Sequence, residues 1–220
     1  MDPCTSSLCA CAPPSDWFAP AWAALREAEP AFARVAGPLP YVARAPGFPG
    51  LLKTICGQHV SHAAAQAVWA RLSAIPGALE PAQLVLLDDD ALCGLGGLTR
   101  ARAATVRAAA RAVMDGTLDF ARLARLDDAA ATAMLVAVKG IGPWTAEVHL
   151  VLSEGRPDVF PAGDVALAAG AAHLLGLPAR PDPRALRRMA QAWSPWRSVA
   201  ARALWHHWLH VTGRPPWTQD

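Results

Sequence analysis

The chain has 220 residues, 53% of them hydrophobic, with a formal net charge of +2 and five cysteines. That length allows one compact core, or one core in two lobes, and the apolar content excludes overall disorder. Abundant alanine and leucine with few β-branched or aromatic runs favour helices, and no run of 18 apolar residues free of charges or breakers offers a membrane span. Residues 1–16 lack the basic and apolar profile of a secretory signal. Cys4, Cys9 and Cys11 lie in a Pro/Ser-rich tail at spacings that match neither a zinc pair nor an iron–sulfur pattern. An odd cysteine count without an export signal points to reduced thiols and a cytoplasmic setting. Charge is uneven: residues 1–175 hold 13 basic and 16 acidic side chains, whereas residues 176–220 hold seven arginines against Asp182 and Asp220. A phosphate-binding face or an ordinary solvated helix face would both account for that surplus.

Taken in chain order, residues 1–15 read as a disordered tail and 16–220 as one folded body. Asp16 caps a first helix over 16–32, ended near Pro30, and the Pro/Gly-rich stretch 37–50 is loop. The apolar spacing over 51–72 predicts one helix, or two joined near Gly57-Gln58-His59. A helix over 81–87 precedes the Gly94-Leu95-Gly96-Gly97 turn; one over 99–114 carries Arg100, Arg102, Arg107 and Arg111 on its surface. Asp127 or Asp128 caps a helix to Lys139; Pro143 opens one that Gly155 closes; Asp164 begins one ending at Gly176. Asp182-Pro183 opens a helix to Trp193, and Ser194-Pro195 opens the last, ending at Gly213. No alternating pattern is long enough for a strand, so the class is all-α.

The strongest local signal is Leu135-Val136-Ala137-Val138-Lys139-Gly140-Ile141-Gly142-Pro143-Trp144-Thr145-Ala146. A helix stops at Gly140, turns through Ile141 and Gly142, and restarts at Pro143. The glycines allow a tight turn and a close approach, Ile141 pins the turn to the core, and the restarted helix presents N–H groups suited to a phosphate. A plain helical corner is the bland alternative to a DNA-binding helix-hairpin-helix. About twenty residues on, Val159-Phe160-Pro161-Ala162-Gly163-Asp164 is a Pro/Gly turn ending in an acid that opens a helix. Alone, that aspartate reads as an N-cap.

Together these segments resemble the helix-hairpin-helix (HhH-GPD) DNA glycosylase superfamily, and within it the alkylation-repair branch of bacterial DNA-3-methyladenine glycosylase II (AlkA-like). Ile55-Cys56-Gly57-Gln58-His59-Val60-Ser61, Leu95-Gly96-Gly97-Leu98-Thr99-Arg100 and Trp193-Ser194-Pro195-Trp196-Arg197-Ser198, with Trp205, extend the likeness over roughly residues 20–208. The resemblance implies a two-lobed helical fold with a cleft between the lobes and a monofunctional enzyme that flips alkylated purines from duplex DNA. This chain is expected to lack the branch's N-terminal β-rich domain and to act as a monomer in the cytoplasm, with the nucleoid.

Carried over residue by residue, Asp164 is the catalytic carboxylate, stabilising oxocarbenium character at the sugar and orienting water. A helix N-terminus favours its negative charge. Trp144 and Trp205 line the base pocket, where indole faces stack on a cationic base, although either ring can equally belong to the core. Trp196 and Trp205 lie nine residues apart and so point to opposite helix faces. His59 falls at the wedge position that fills the gap left by the flipped base, against the alternative of a surface histidine; Gln58 beside it contacts DNA or simply bonds the loop. Gly140, Ile141, Gly142, Thr145 and Arg197 complete the expected DNA contacts. Lyase relatives carry lysine in the slot of Trp144, so no Schiff base is expected; Lys139 reads as a helix-end cation. No cysteine lies beyond Cys93, so no iron–sulfur cluster is expected. A structural Na⁺ or K⁺ on the carbonyls of Val136, Val138 and Ile141 is implied. A non-catalytic DNA-binding module and a glycosylase for other damaged bases are the rival readings.

Overall fold

The structure, a computed structural model, describes residues 16–215. The expected N-terminal tail and Cys4, Cys9 and Cys11 lie outside those residues. Eleven helices are described: α1 (Phe18–Ala28), α2 (Gly47–Cys56), α3 (His62–Ser73), α4 (Pro81–Leu84), α5 (Arg100–Met114), α6 (Phe120–Leu123), α7 (Asp128–Val136), α8 (Pro143–Leu152), α9 (Val165–Leu175), α10 (Pro183–Met189) and α11 (Arg197–Val211). Short 3-10 segments at Pro30–Arg34 and Ala190–Trp193 and a π-turn at Asp90–Leu95 connect them. No strand occurs among the described residues, and no helix there is long and apolar enough to cross a membrane.

The chain divides into two compact units, Arg44–Ser153 and the pair of segments Met1–Ala43 and Glu154–Asp220. In the first, α2 packs against α3, α5 and α8, and α7 packs against α8. Leu51, Leu52, Ile55, Val106, Leu135, Leu150 and Val151 form its dry interior. Cys56 is buried there, and burial pushes its thiol up to about 12 despite the nearby positive charges of Arg102, Arg44 and Lys53, so it is unreactive at neutral pH.

In the second unit α9 packs along α11, and α1 also packs against α11. Trp22 and Trp193 meet Phe32, and Trp193 also meets Phe160, with ring centroids 5.5–5.6 Å apart. Trp17 stacks on Trp196 at 6.0 Å. Four of the nine tryptophans therefore serve packing. His173 of α9 and His207 of α11 share a 2.8 Å hydrogen bond. Burial first, then the positive neighbours, push His207 down to about 4, so its ring is neutral at physiological pH.

Several expected boundaries move. The first helix stops at Ala28, and Pro30 restarts the chain as a 3-10 segment. Trp17, not Asp16, is its N-cap. The stretch 51–72 is two helices, with the break at Gly57 as foreseen. α10 ends at Met189 rather than Trp193. Ser194 does not cap α11: Trp196 holds that position, while the Ser194 hydroxyl donates to Asp158 at 2.8 Å. Arg102, expected on the surface, is 9% exposed.

The α9–α11 contact depends on Gly170. A Cβ there would lie 2.6 Å from the carbonyl oxygen of Leu204, far inside van der Waals contact. Gly170→Ala gains about 1 kcal/mol of helix propensity but forces two backbones apart, and overpacking costs about 1–3 kcal/mol. The expected result is a net loss of stability, seen as a lower urea midpoint at an unchanged slope; an equal or higher midpoint would show that the helices part freely.

Candidate functional site

Asp164 owes its position to two anchors in the unit that contains it. The turn before it closes on itself, with Ala162 N–H donating to Phe160 O at 2.8 Å and Asp164 N–H to Pro161 O at 2.9 Å. Upstream, Val159 is held at both backbone groups by Ser198, whose hydroxyl accepts from Val159 N–H at 3.0 Å and donates to Val159 O at 2.8 Å. Asp158 receives the Arg197 guanidinium through Nε and Nη2, each at 2.8 Å, and the Arg197 backbone N–H at 3.1 Å. The start of α11 thus grips the loop that leads to the aspartate.

Asp164 is the N-cap of α9, with φ −79° and ψ 122°. Its Oδ1 accepts from Leu167 N–H at 2.9 Å and from the indole Nε1–H of Trp205 at 3.1 Å. Both donors are neutral, so the bonds orient the carboxylate without neutralising it. Val165, the next residue, is 70% exposed. Trp205 itself is 4% exposed; the contact the structure shows for it is this edge-on hydrogen bond, not the open stacking face expected from sequence. Trp196, as expected, points elsewhere, onto Trp17.

The other unit holds the hairpin and the turn 57–61. α7 ends at Val136, Gly140 takes φ 91°, and Gly142 with Pro143 starts α8. Ile141 is buried, as its pinning role requires, and its N–H donates to Val138 O at 3.0 Å. Thr105 of α5 sits beneath Gly140: a Cβ on that glycine would fall 2.1 Å from Thr105 Oγ1.

His59 is exposed at the tip of the turn and is the one non-glycine among the described residues with positive φ, 54°. The left-handed region costs a residue with a Cβ about 1–2 kcal/mol. Gln58 shows what holds it. Its Nε2 donates to Gly140 O at 3.2 Å and to Thr145 Oγ1 at 2.9 Å, and its own carbonyl accepts from Arg102 Nη2. A hydrogen bond from a charged donor contributes about 1.5–3 kcal/mol, enough to offset that strain. Trp144 is half-buried, its Cη2 4.0 Å from where a Cβ on Gly57 would stand.

The structure therefore joins Gln58, Gly140 and Thr145 through hydrogen bonds, places Trp144 by the same turn, and separately joins Asp164 to Trp205. Three of the expected DNA-contact residues have partners within the protein. The amide of Gln58 and the hydroxyl of Thr145, the latter residue 2% exposed, bond each other inside the protein. Arg197 is engaged by Asp158 rather than presented outward. Sequence reasoning missed Arg102, Thr105 and Asp158. The first had a signal: Arg102 falls in register with Val106 and Ala109 on the buried stripe of α5.

Comparison with known proteins places these features. The family described as HhH-GPD superfamily base excision DNA repair protein matches residues 52–196, which include the turn 57–61, the hairpin, Asp164 and the Asp158–Arg197 network except its last member. The chain belongs to the HhH-GPD superfamily. It is 40% identical over 117 residues to the probable bifunctional transcriptional activator/DNA repair enzyme AlkA of Mycobacterium tuberculosis, a match covering 53% of this chain and 23% of that one. The chain thus spans about a quarter of that relative's length. A crystal structure of a DNA-3-methyladenine glycosidase from Bacillus halodurans superposes with a TM-score of 0.73 at 29% identity, covering 91% of this chain and 93% of that one. The fold of a Schizosaccharomyces pombe 3-methyladenine DNA glycosylase, solved with abasic DNA, matches with a TM-score of 0.78 at 22% identity over 92% of this chain and all of the other.

Asp158 also has a pH signature. Burial alone would raise its carboxyl, but the hydrogen bonds from Arg197 and Ser194 and the adjacent positive charge outweigh it and hold the group below the usual carboxylate range. A carboxyl depressed on folding contributes stability that is present above its unfolded value and is lost as pH falls through the folded one. Arg197→Gln is therefore expected to lower stability by about 2 kcal/mol near pH 7, with the gap from wild type closing below about pH 4. The salt dependence of binding to undamaged duplex should stay unchanged, because this guanidinium is engaged internally. A smaller salt slope at unchanged stability would restore Arg197 as a phosphate contact.

Proposed function

We propose that the protein is a monofunctional DNA glycosylase of base excision repair, which turns an alkylated purine of the 3-methyladenine type out of duplex DNA and hydrolyses its N-glycosidic bond, leaving an abasic site. The observation that carries this reading is the carboxylate of Asp164, fixed at a helix N-terminus by two neutral N–H donors, in a chain of the HhH-GPD superfamily. An alkylated purine is already cationic and leaves without further protonation. The barrier is then the developing positive charge on the sugar, which a carboxylate fixed in place stabilises while it orients the attacking water. Flipping supplies access to that bond, and His59 at the tip of its turn fills the vacated space.

The hairpin meets the DNA backbone through the helix-start N–H groups near Gly142, a glycine where a Cβ would meet nothing within 4 Å. Neutral carbonyl oxygens of Val136, Val138 and Ile141 suit a monovalent cation such as Na⁺ or K⁺; the Val138 oxygen already accepts one N–H and keeps a second lone pair. Such an ion would add positive charge for a phosphate. Trp144 stands where lyase relatives carry the lysine that forms a Schiff base, which supports hydrolysis without strand cleavage. The reading places the enzyme in the cytoplasm, acting on DNA as a monomer.

Asp164→Asn keeps Oδ1 as acceptor for both Leu167 and Trp205, so the cap and fold survive. Release of a methylated purine under single-turnover conditions should fall by about 10²–10³-fold with binding to lesion DNA retained. Release at close to the wild-type rate would reject the assignment. Borohydride added to a turning-over mixture should trap no covalent complex; an adduct mapped to Lys139 or Lys53 would show a lyase instead.

A further inference from the structure

We propose that Arg102 is a positioning residue for base flipping: through the carbonyl of Gln58 it holds His59 preformed in the left-handed conformation in which it enters the duplex. The inference rests on the glycosylase reading and on His59 as the wedge. It starts from a chain of contacts that closes on itself within the unit Arg44–Ser153.

Helix α5 supplies two supports three residues apart. Arg102 Nη2 donates to Gln58 O from below the turn, and Thr105 fills the space beneath Gly140. Gln58 then reaches across with its side chain to Gly140 O and Thr145 Oγ1. The residue immediately before His59 is thus fixed by its carbonyl to α5 and by its amide to the hairpin. His59, at the tip, is exposed with φ 54°. A buried guanidinium with 9% exposure is costly to desolvate unless it serves a bond that needs it. A strained turn is such a place, since strain persists only where the surroundings over-determine it. Preforming the tip removes the ordering step that a mobile loop would add at the moment of base extrusion.

The role is distinguishable from mere packing. Removing Arg102 while leaving His59 in place should cost the same step that removing His59 costs, and no other. The assay is single-turnover release of 7-methylguanine from duplexes in which it is paired with cytosine or mispaired with thymine. It uses wild type, His59→Ala, Arg102→Ala and the double variant, all below their unfolding transitions. Arg102→Ala is expected to slow release roughly tenfold in the cytosine pair and much less in the mispair, where flipping is easier. The double variant should be no slower than His59→Ala alone, because the two act as one unit. Arg102→Lys, which keeps a cationic donor, should recover part of the loss, and salt-dependent affinity for undamaged duplex should be unchanged in all variants.

Equal losses in both pairings, or losses that multiply in the double variant, would make Arg102 a packing residue and overturn the inference. Should Arg102→Ala fold poorly, Arg102→Met, which keeps the apolar stem and removes the donor to Gln58 O, tests the same linkage, with the same pairing-dependent loss expected and its absence counting against it. A context-dependent loss in His59→Ala without one in Arg102→Ala removes only the positioning role. No such loss in either removes the wedge reading as well, and no release by wild type removes the glycosylase reading itself.

Discussion

The close crossing of α9 and α11 at Gly170 is the constraint on which the chemistry depends. With no side chain at that position, the backbone carbonyl of Leu204 lies against α9. Trp205 follows Leu204 directly, and Asp164 caps the same helix α9 less than two turns upstream of Gly170. The separation of the two helices therefore sets whether the indole N–H reaches Oδ1 at 3.1 Å. The His173–His207 bond belongs to the same pair of helices, and burial keeps the His207 ring neutral there. A carboxylate that must act by its position and charge is thus mounted beside a close helix crossing.

The other unit follows the same logic with different parts. There the close approach is at Gly140, over Thr105, and the fixed helix is α5. What it mounts is a turn and a hairpin rather than a carboxylate, and the side chains that tie them together, Gln58, Thr145 and Arg102, are polar. Polar ties suit this task. Apolar packing is tolerant of small shifts, whereas hydrogen bonds from an amide and a guanidinium fix direction as well as distance. A tip that must enter a base stack needs its direction fixed.

These devices were unequally legible in the sequence. Asp164, the hairpin glycines and the break at Gly57 could be found because each is a local signal: a cap before a helix, a glycine at a turn, a proline at a helix start. The all-α class followed from the same punctuation, while the four-residue helix α6 was missed. What escaped was long-range pairing of residues whose local reading is ordinary. Asp158 looks like any loop acid until Arg197, 39 positions later, is seen to bond both its oxygens. Ser194-Pro195 reads as a helix start because Ser and Pro so often make one; tertiary bonding of the Ser194 hydroxyl to Asp158 overrode that preference and moved the start to Arg197. Trp205 was singled out from the sequence as a pocket ring; its burial and its hydrogen bond to Asp164 arise from the helix crossing, which no local pattern encodes.

Arginine shows most clearly why composition misleads about function. The surplus of positive charge over residues 176–220 fitted either a phosphate-binding face or an ordinary solvated helix face. In the structure it separates into two kinds of residue. Arg197 is engaged by Asp158, and Arg202 is buried with its guanidinium bonded to Val42 O and lying 4.4 Å from the Tyr41 ring. Arg184, Arg187 and Arg188 of α10 are exposed. Only exposed cations displace counterions from a duplex and add to the field that steers it, because a paired or buried charge is compensated where it stands. The arginines inside both units, Arg102 included, instead act as struts, where a planar group with several donors can hold a carbonyl or a carboxylate in one direction. Weak, sequence-independent attraction to phosphate needs few contacts, and the exposed arginines with the neutral N–H groups of the hairpin can supply it. Fixing a carboxylate's loop in one unit and a turn in the other needs direction within each unit, which Arg197 supplies in the first through Asp158 and Arg102 in the second through Gln58 O.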